Sequence, residues 1–139
     1  MARDDKFFHN VKEALQKDGW ITTDPFTLRN GNVTFHMDIA AEKVILLAEN
    51  KKEQIIVEVK SFAGKSFINE FHRSIGQHRN YGLMLKTNNI ARKLYLAIPE
   101  DIYKNKFAEP FIMEATIANN MSIVTYDPTI NRIIQWLPR

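Results

Sequence analysis

The chain has no cysteine among its 139 residues. That excludes disulfides and thiolate metal ligation, and it fits a reducing compartment. No apolar run reaches the length needed to span a bilayer. The N-terminal stretch "MARDDKFFHNVKEALQKDG" has no apolar core of signal-peptide length. The expectation is a soluble, cytoplasmic protein without a membrane partner. Internal repeats, low-complexity tracts and Pro/Gly-rich linkers are also missing, so one domain over residues 1–139 is expected. Around Gly64 and Lys65 the glycine spacing of a Walker loop is absent, and nucleotide hydrolysis is set aside. With no nucleophile elbow and no cysteine, serine and cysteine hydrolases are set aside too.

What is present is ordinary globular composition, 45% hydrophobic and 25% charged. The net charge of +3 permits an anionic partner such as nucleic acid, although many proteins without one share that balance.

Between Asp4 and Asp18, the residues Phe7, Phe8, Val11, Ala14 and Leu15 recur at helical spacing, and Gly19 follows as a terminator. "WITTDPF" reads as extended chain turning at Asp24 and Pro25, and "RNGN" at 29–32 as a turn. Three strands of a meander are expected next: "VTFHMDIA", "KVILLAEN" and "IIVEVKSF", with "NKKEQ" as the polar turn before the last. A helix follows through "SFINEFHRSIGQHRNYGLMLKTNN", then a strand "KLYLAIP". "EDIYKNKFAEPFIMEATIANN" is helical with a break or kink at Pro110. "MSIVTYDP" and "RIIQWLP" form a terminal hairpin. The order α-β-β-β-α-β-α-β-β is that of an α/β domain with a mixed central sheet flanked by helices.

The strand "IIVEVKSF" carries an acid and a base two residues apart. Residues so spaced share a strand face, so Glu58 and Lys60 project together while Val57 and Val59 pack behind them. A carboxylate suits a hard divalent cation such as Mg2+ or Mn2+. An ammonium beside it can hold a water or offset charge on a phosphate. Asp38, ending an earlier strand, can supply a second metal oxygen. D…E-x-K therefore suits metal-assisted phosphodiester hydrolysis, with Asp38 and Glu58 as ligands. A Glu and a Lys on a half-exposed strand are also often just a solvated pair, and E-x-K alone is a weak motif.

Architecture adds to the motif. Helix, three-strand meander, helix and strand resemble the core of the PD-(D/E)XK (restriction-endonuclease-like) nucleases, in which an Asp ends one strand and E-x-K lies on the next. Met37 stands where the motif's name has Pro. Gln77 and Tyr81 form Q-x-x-x-Y on one helix face, resembling the auxiliary motif of exonuclease-type members. More closely, "DGWIT", "DIAAEK", "VEVKSF", "EFHRSIGQHRNY", "KLYLAIPEDIY" and "YDPTINRIIQWLP" together resemble the XisH family, the fdxN element excision controlling factors of cyanobacteria, over nearly the whole chain. That resemblance implies a role in programmed DNA excision during heterocyst differentiation. It also implies an accessory to a site-specific recombinase, acting with a small XisI-type partner. It does not decide between a Mg2+- or Mn2+-dependent deoxyribonuclease and a catalytically silent DNA-binding or protein-interaction accessory.

For the nuclease reading, Asp38, Glu58, Lys60 and Gln77 are the catalytic candidates, with Glu42, Ser61 and Tyr81 as auxiliaries. Glu42 with Lys43 also reads as a solvated turn, and Ser61 as turn chemistry before the helix. His36 shares Asp38's face in the alternation. His72 and His78, six apart on a helix, lack a metal-ligand spacing. Arg73, Arg79, Arg92 and Lys93 read either as a basic rim for DNA or as scattered surface cations. Phe111, Tyr126 and Trp136 offer contact area for a protein partner or homodimer, or else fill the core.

Overall fold

The structure is a computed structural model that describes residues 5–46, 48 and 51–138. A mixed sheet of strand order β1-β4-β5-β6-β7-β8 carries helices on both faces. Helix α1 (Phe8–Lys17) lays Phe8, Val11 and Leu15 against one face. It ends as the sequence predicts. Gly19 takes a φ of +93°, its N–H reaches the Gln16 carbonyl, and the Trp20 N–H reaches Leu15. That is a Schellman closure, and it needs the left-handed glycine. Asp4, where the helix was expected to start, lies outside the described residues.

β1 (Ile21–Thr23) and β2 (Phe26–Asn30) form on either side of the Asp24–Pro25 turn. β3 (Val33–Met37) pairs with β2 through a two-residue turn, Asn30 facing Val33, in a separate two-stranded sheet. β4 (Ile39–Leu46) joins the main sheet between β1 and β5 (Lys51–Val59). The expected three-strand meander is therefore corrected. "VTFHMDIA" is not one strand but breaks at Asp38, because its first half is taken up by the tight hairpin with β2. Lys43–Leu46 of "KVILLAEN" completes β4 rather than forming a strand of its own, and residues 47, 49 and 50 lie outside the described residues. Lys51 to Gln54, read as a turn, are the exposed start of β5, where Glu42 and Lys52 form a cross-strand ion pair at 3.6 Å.

From β5 onward the expected order holds. α2 (Phe67–Thr87) crosses to β6 (Lys93–Pro99), parallel to β5. α3 (Glu100–Lys106) and α4 (Pro110–Ala118) cross to β7 (Ser122–Asp127), parallel to β6. Pro110 does not kink one helix but opens the second, where its missing N–H costs nothing. β8 (Arg132–Leu137) closes an antiparallel hairpin with β7.

Period-2 alternation sorts β5 between the two faces. Ile55, Val57 and Val59 pack toward α1, and Ile56 packs toward α2 with Met37, Ala40 and Tyr81. A third cluster, with Phe71, Phe107 and Ile112, fills the space under α2, α3 and α4. Of the three aromatics proposed as contact surface, Tyr126 is fully buried. Trp136 packs on Trp20 and Tyr95 at 5.6 and 4.9 Å between ring centroids, while Phe111 is 65% exposed. Among the described residues no helix is long and apolar enough to cross a membrane.

Candidate functional site

The break that separates β3 from β4 falls at Asp38. Ile39 lies opposite Val57, so Asp38 falls beside Glu58. The two side chains exchange backbone bonds. Glu58 Oε1 accepts the Asp38 N–H at 2.8 Å, and Asp38 Oδ2 accepts the Val59 N–H at 2.9 Å. Both are buried, at 3% and 4% exposure. The solvated surface pair considered above is thus excluded for Glu58, which belongs to the α2-facing side of β5 where Ile56 is core.

Two acids share this site, and no cation bonds either of them among the described residues. Burial first, then the Asp38 charge, hold the Glu58 carboxyl well above its ordinary range. Burial also raises Asp38, while the Val59 N–H and the Lys60 charge pull it back. Two carboxyls this close in low dielectric resist losing both protons.

Lys60 continues the strand by one residue, its N–H donating to the Ala97 carbonyl at 3.0 Å. Its charge favours ionisation of both acids, yet its ammonium makes no ion pair or hydrogen bond among the described residues. It lines a cavity of about 380 Å³ with Glu70, Arg73 and Gln77. Those three lie three to four residues apart on α2 and so share a face. Gln77 Nε2 donates to Tyr81 Oη at 3.1 Å. Tyr81 is buried, and burial together with the nearby Glu58 and Asp38 charges pushes its hydroxyl up to about 12. Its ring rests on Phe35 at 5.0 Å. Asp38, Glu58, Lys60, Gln77 and Tyr81 therefore gather around one end of β5.

The loop from β5 to α2 is held tightly. Ser66 caps α2 by accepting the Asn69 N–H. Glu70 accepts the Gly64 N–H at 3.1 Å, and a Cβ on Gly64 would meet that carboxylate at 2.9 Å. Phe62 adopts a φ of 53°, a strained region for an aromatic residue, with its ring fixed against Phe67 and Phe107. Ser61 donates its N–H to Asp5 Oδ2 at 2.7 Å. Asp5 thereby brings a further negative charge near Asp38.

Sequence reasoning missed Asp5 and Glu70. Asp5 carried only the signal of an acid just before a helix, with nothing to connect it to residue 61. Glu70 stood in plain view at helical spacing from Arg73 and Gln77. Glu42, by contrast, lies four residues along β4 from Asp38, about 13 Å away by strand rise, and is engaged by Lys52 and Gln54. Lys43 pairs with Asp18 at 3.5 Å. His36 is exposed on the β2–β3 hairpin and bonds Thr27. No group of three or more His, Asp or Glu with metal-holding geometry occurs among the described residues.

The XisH protein family matches residues 1–134. A solved XisH family protein from Nostoc punctiforme PCC 73102 is 42% identical and superposes with a TM-score of 0.83, covering 94% of this chain and 97% of that one. A solved fdxN element excision controlling factor protein from Anabaena variabilis is 41% identical, with a TM-score of 0.84 and the same coverage. No curated protein matches. The chain belongs to the XisH family.

Proposed function

We propose that this protein is a divalent-cation-dependent deoxyribonuclease of the PD-(D/E)XK type, acting in the excision of a DNA element. The observation that carries this reading is the convergence of Asp38 and Glu58. They are two buried, cross-bonded carboxyls with raised proton affinity and no bonded cation, a donor set that fits Mg2+ or Mn2+. The two carboxylates would hold the ion, and its remaining positions fall to water. Bound there, it would supply Lewis acidity and a water of lowered pKa. Lys60, without an ion pair among the described residues, holds the attacking water and offsets the charge growing on the phosphate. Arg73 faces the same cavity and can grip a phosphate oxygen. Tyr81 Oη accepts from the Gln77 amide and so fixes that side chain at the cavity wall. The excision role comes from the name of the Anabaena variabilis relative.

The test is cleavage of duplex, single-stranded and branched DNA with Mn2+. Wild type is expected to cut at least one of these, and Glu58→Gln and Lys60→Ala to cut none. Activity surviving in both variants, or absent from wild type across all substrates, rejects the reading.

A second reading is a silent accessory that binds DNA or protein without turnover. Two observations favour it: no three-acid metal cluster forms among the described residues, and α4 leaves Phe111 and Ile117 65% and 69% exposed. An XisI-type partner, a recombinase or a second copy of the chain would seat on that helix. Manganese binding without cleavage, together with excision that is normal in cells carrying Glu58→Gln, selects this alternative.

A further inference from the structure

The acids of this chain are unevenly spread. Between Glu70 and Glu100 there is no Asp or Glu at all, but five Arg or Lys: Arg73, Arg79, Lys86, Arg92 and Lys93. That segment carries +5, while the whole chain carries +3. It forms most of α2 and all of β6, with its cations on α2 and at the start of β6. Elsewhere cations are neutralised, as in Lys12–Asp24, Lys43–Asp18, Lys52–Glu42 and Lys104–Glu100. None of these five has a carboxylate partner among the described residues.

A cavity of about 980 Å³ opens on the flank of α2 turned away from Gln77. Arg79, Lys86, Arg92, Lys93, Asn119 and Asn120 contribute to its lining, and no acid does. Arg92 is built in. It donates to the Ala41 and Ile55 carbonyls and lies over Phe26. Arg79 is braced by Asn119 Oδ1 at 3.3 Å, which orients it and leaves most of its donors unused. The Lys86 ammonium has no hydrogen bond or ion pair among the described residues and is exposed.

The glycines of α2 are a separate observation. Gly76 and Gly82 sit in the helix interior, where glycine is a poor helix former. A Cβ added at either one would meet nothing within 4 Å. The packing of this chain does not require them. Without a Cβ at either position, this side of the helix is open to close approach from outside. Gly76 is on the exposed face, and Gly82 lines the cavity.

We propose that the outer face of α2 and the cavity beside it form a docking surface for the sugar–phosphate backbone of a nucleic acid. Charge selects an anion, and length selects a polymer. Arg79 and Lys86 stand roughly 10 Å apart at the helical rise, and Arg92 and Lys93 line the same cavity beyond the helix, a spread too wide for one phosphate and right for several in a row. Ion release from such a backbone makes the affinity salt-dependent. The surface is separate from Asp38 and Glu58 and does not require cleavage.

The experiment is fluorescence anisotropy with a labelled 30-bp duplex in EDTA, across a KCl series. Arg79→Gln/Lys86→Gln is expected to raise Kd at least tenfold. It should also flatten the log–log salt slope by roughly 1.8, since two phosphate contacts are lost. Lys104→Gln/Lys106→Gln removes the same charge from α3 and should change Kd less than twofold. Gly76→Ala and Gly82→Ala are expected to keep the circular dichroism of wild type, raise Tm, and weaken binding. Because binding is read in EDTA, where no metal-dependent cleavage runs, its outcome is independent of the cleavage reading. An unchanged Kd and slope in the α2 double variant overturns the proposal. So does equal loss in the α3 control, or wild type that binds anionic phosphatidylglycerol vesicles and not the duplex.

Discussion

Replacing Glu58 with Gln should make the protein more stable without metal and less stable with it. The substitution keeps the shape and an oxygen to accept the Asp38 N–H, now bonded at 2.8 Å. It removes the ionisable group and lets an amide donate toward Asp38. Glu58's folded pKa lies well above its ordinary 4.5, because burial and Asp38 both penalise its charge. Between its unfolded and folded pKa values, folded Glu58 holds a proton that the unfolded chain has released. Its contribution is full below about pH 4.5 and is lost as pH rises through the folded pKa. The share of that loss that the variant recovers at pH 8 should raise its Tm above that of wild type. Manganese at a hundredfold its Kd would stabilise wild type by about 2.7 kcal/mol, and the variant, lacking a ligand, by far less. Thermal scans at pH 5 and pH 8, in EDTA and in Mn2+, thus predict a crossing order. If the variant is the less stable protein at pH 8 in EDTA and Mn2+ leaves wild type unmoved, the pair is a structural network, and the metal-site argument fails.

Lys60→Ala should leave the fold intact, abolish cleavage, and tighten Mn2+ binding in calorimetric titration, because a positive charge beside the cation is gone; unchanged cleavage refutes its role. Tyr81→Phe removes the Oη that receives Gln77 at 3.1 Å. It should cost about 1 kcal/mol in urea unfolding and lower the cleavage rate as Gln77 loses its anchor; a rate equal to wild type would detach Gln77 from the chemistry. Asp5→Ala strips the Ser61 N–H of its acceptor. A loss of about 1–3 kcal/mol is expected in the same assay, and no loss would mean the loop stands without α1. Gly76→Ala should gain about 1 kcal/mol from helix propensity alone.

How far the sequence could be read depended on whether a signal was local. The 3.6-residue stripe of α1, the Gly19 stop, the Pro110 break and the terminal hairpin are each fixed by neighbours in sequence, and the structure follows them. The period-2 alternation of β5 placed Glu58 and Lys60 on one face and Val57 and Val59 on the other. What the alternation could not reveal was depth. Glu58 is buried because α2 covers that face, a contact between residues some twenty apart. The break at Asp38 was hidden for a related reason. "VTFHMDIA" alternates without interruption, and only competition between β2 and the main sheet for its two halves splits it. Asp5 and Ser61 meet across 56 residues, beyond the reach of periodicity.

The two charge imbalances in this molecule are opposite in sign and lie on the same helix–strand unit. Asp38 and Glu58 are acids in a buried site without a bonded cation among the described residues. Lys60, Arg73, Arg79 and Lys86 are cations without a carboxylate partner among the described residues. Left to themselves, these groups would be expected to find each other, since Lys60 follows Glu58 by only two residues. The backbone prevents it. Glu58 is committed to the Asp38 N–H, Asp38 to the Val59 N–H, and Lys60 is turned into the cavity with Glu70, Arg73 and Gln77. A pair replaced by apolar residues would remove the cost of burying the acids, so stability does not account for them. Small divalent cations at the acids and phosphates along the bases would satisfy both sets at once. A nucleic acid with its counterions is a ligand that brings both.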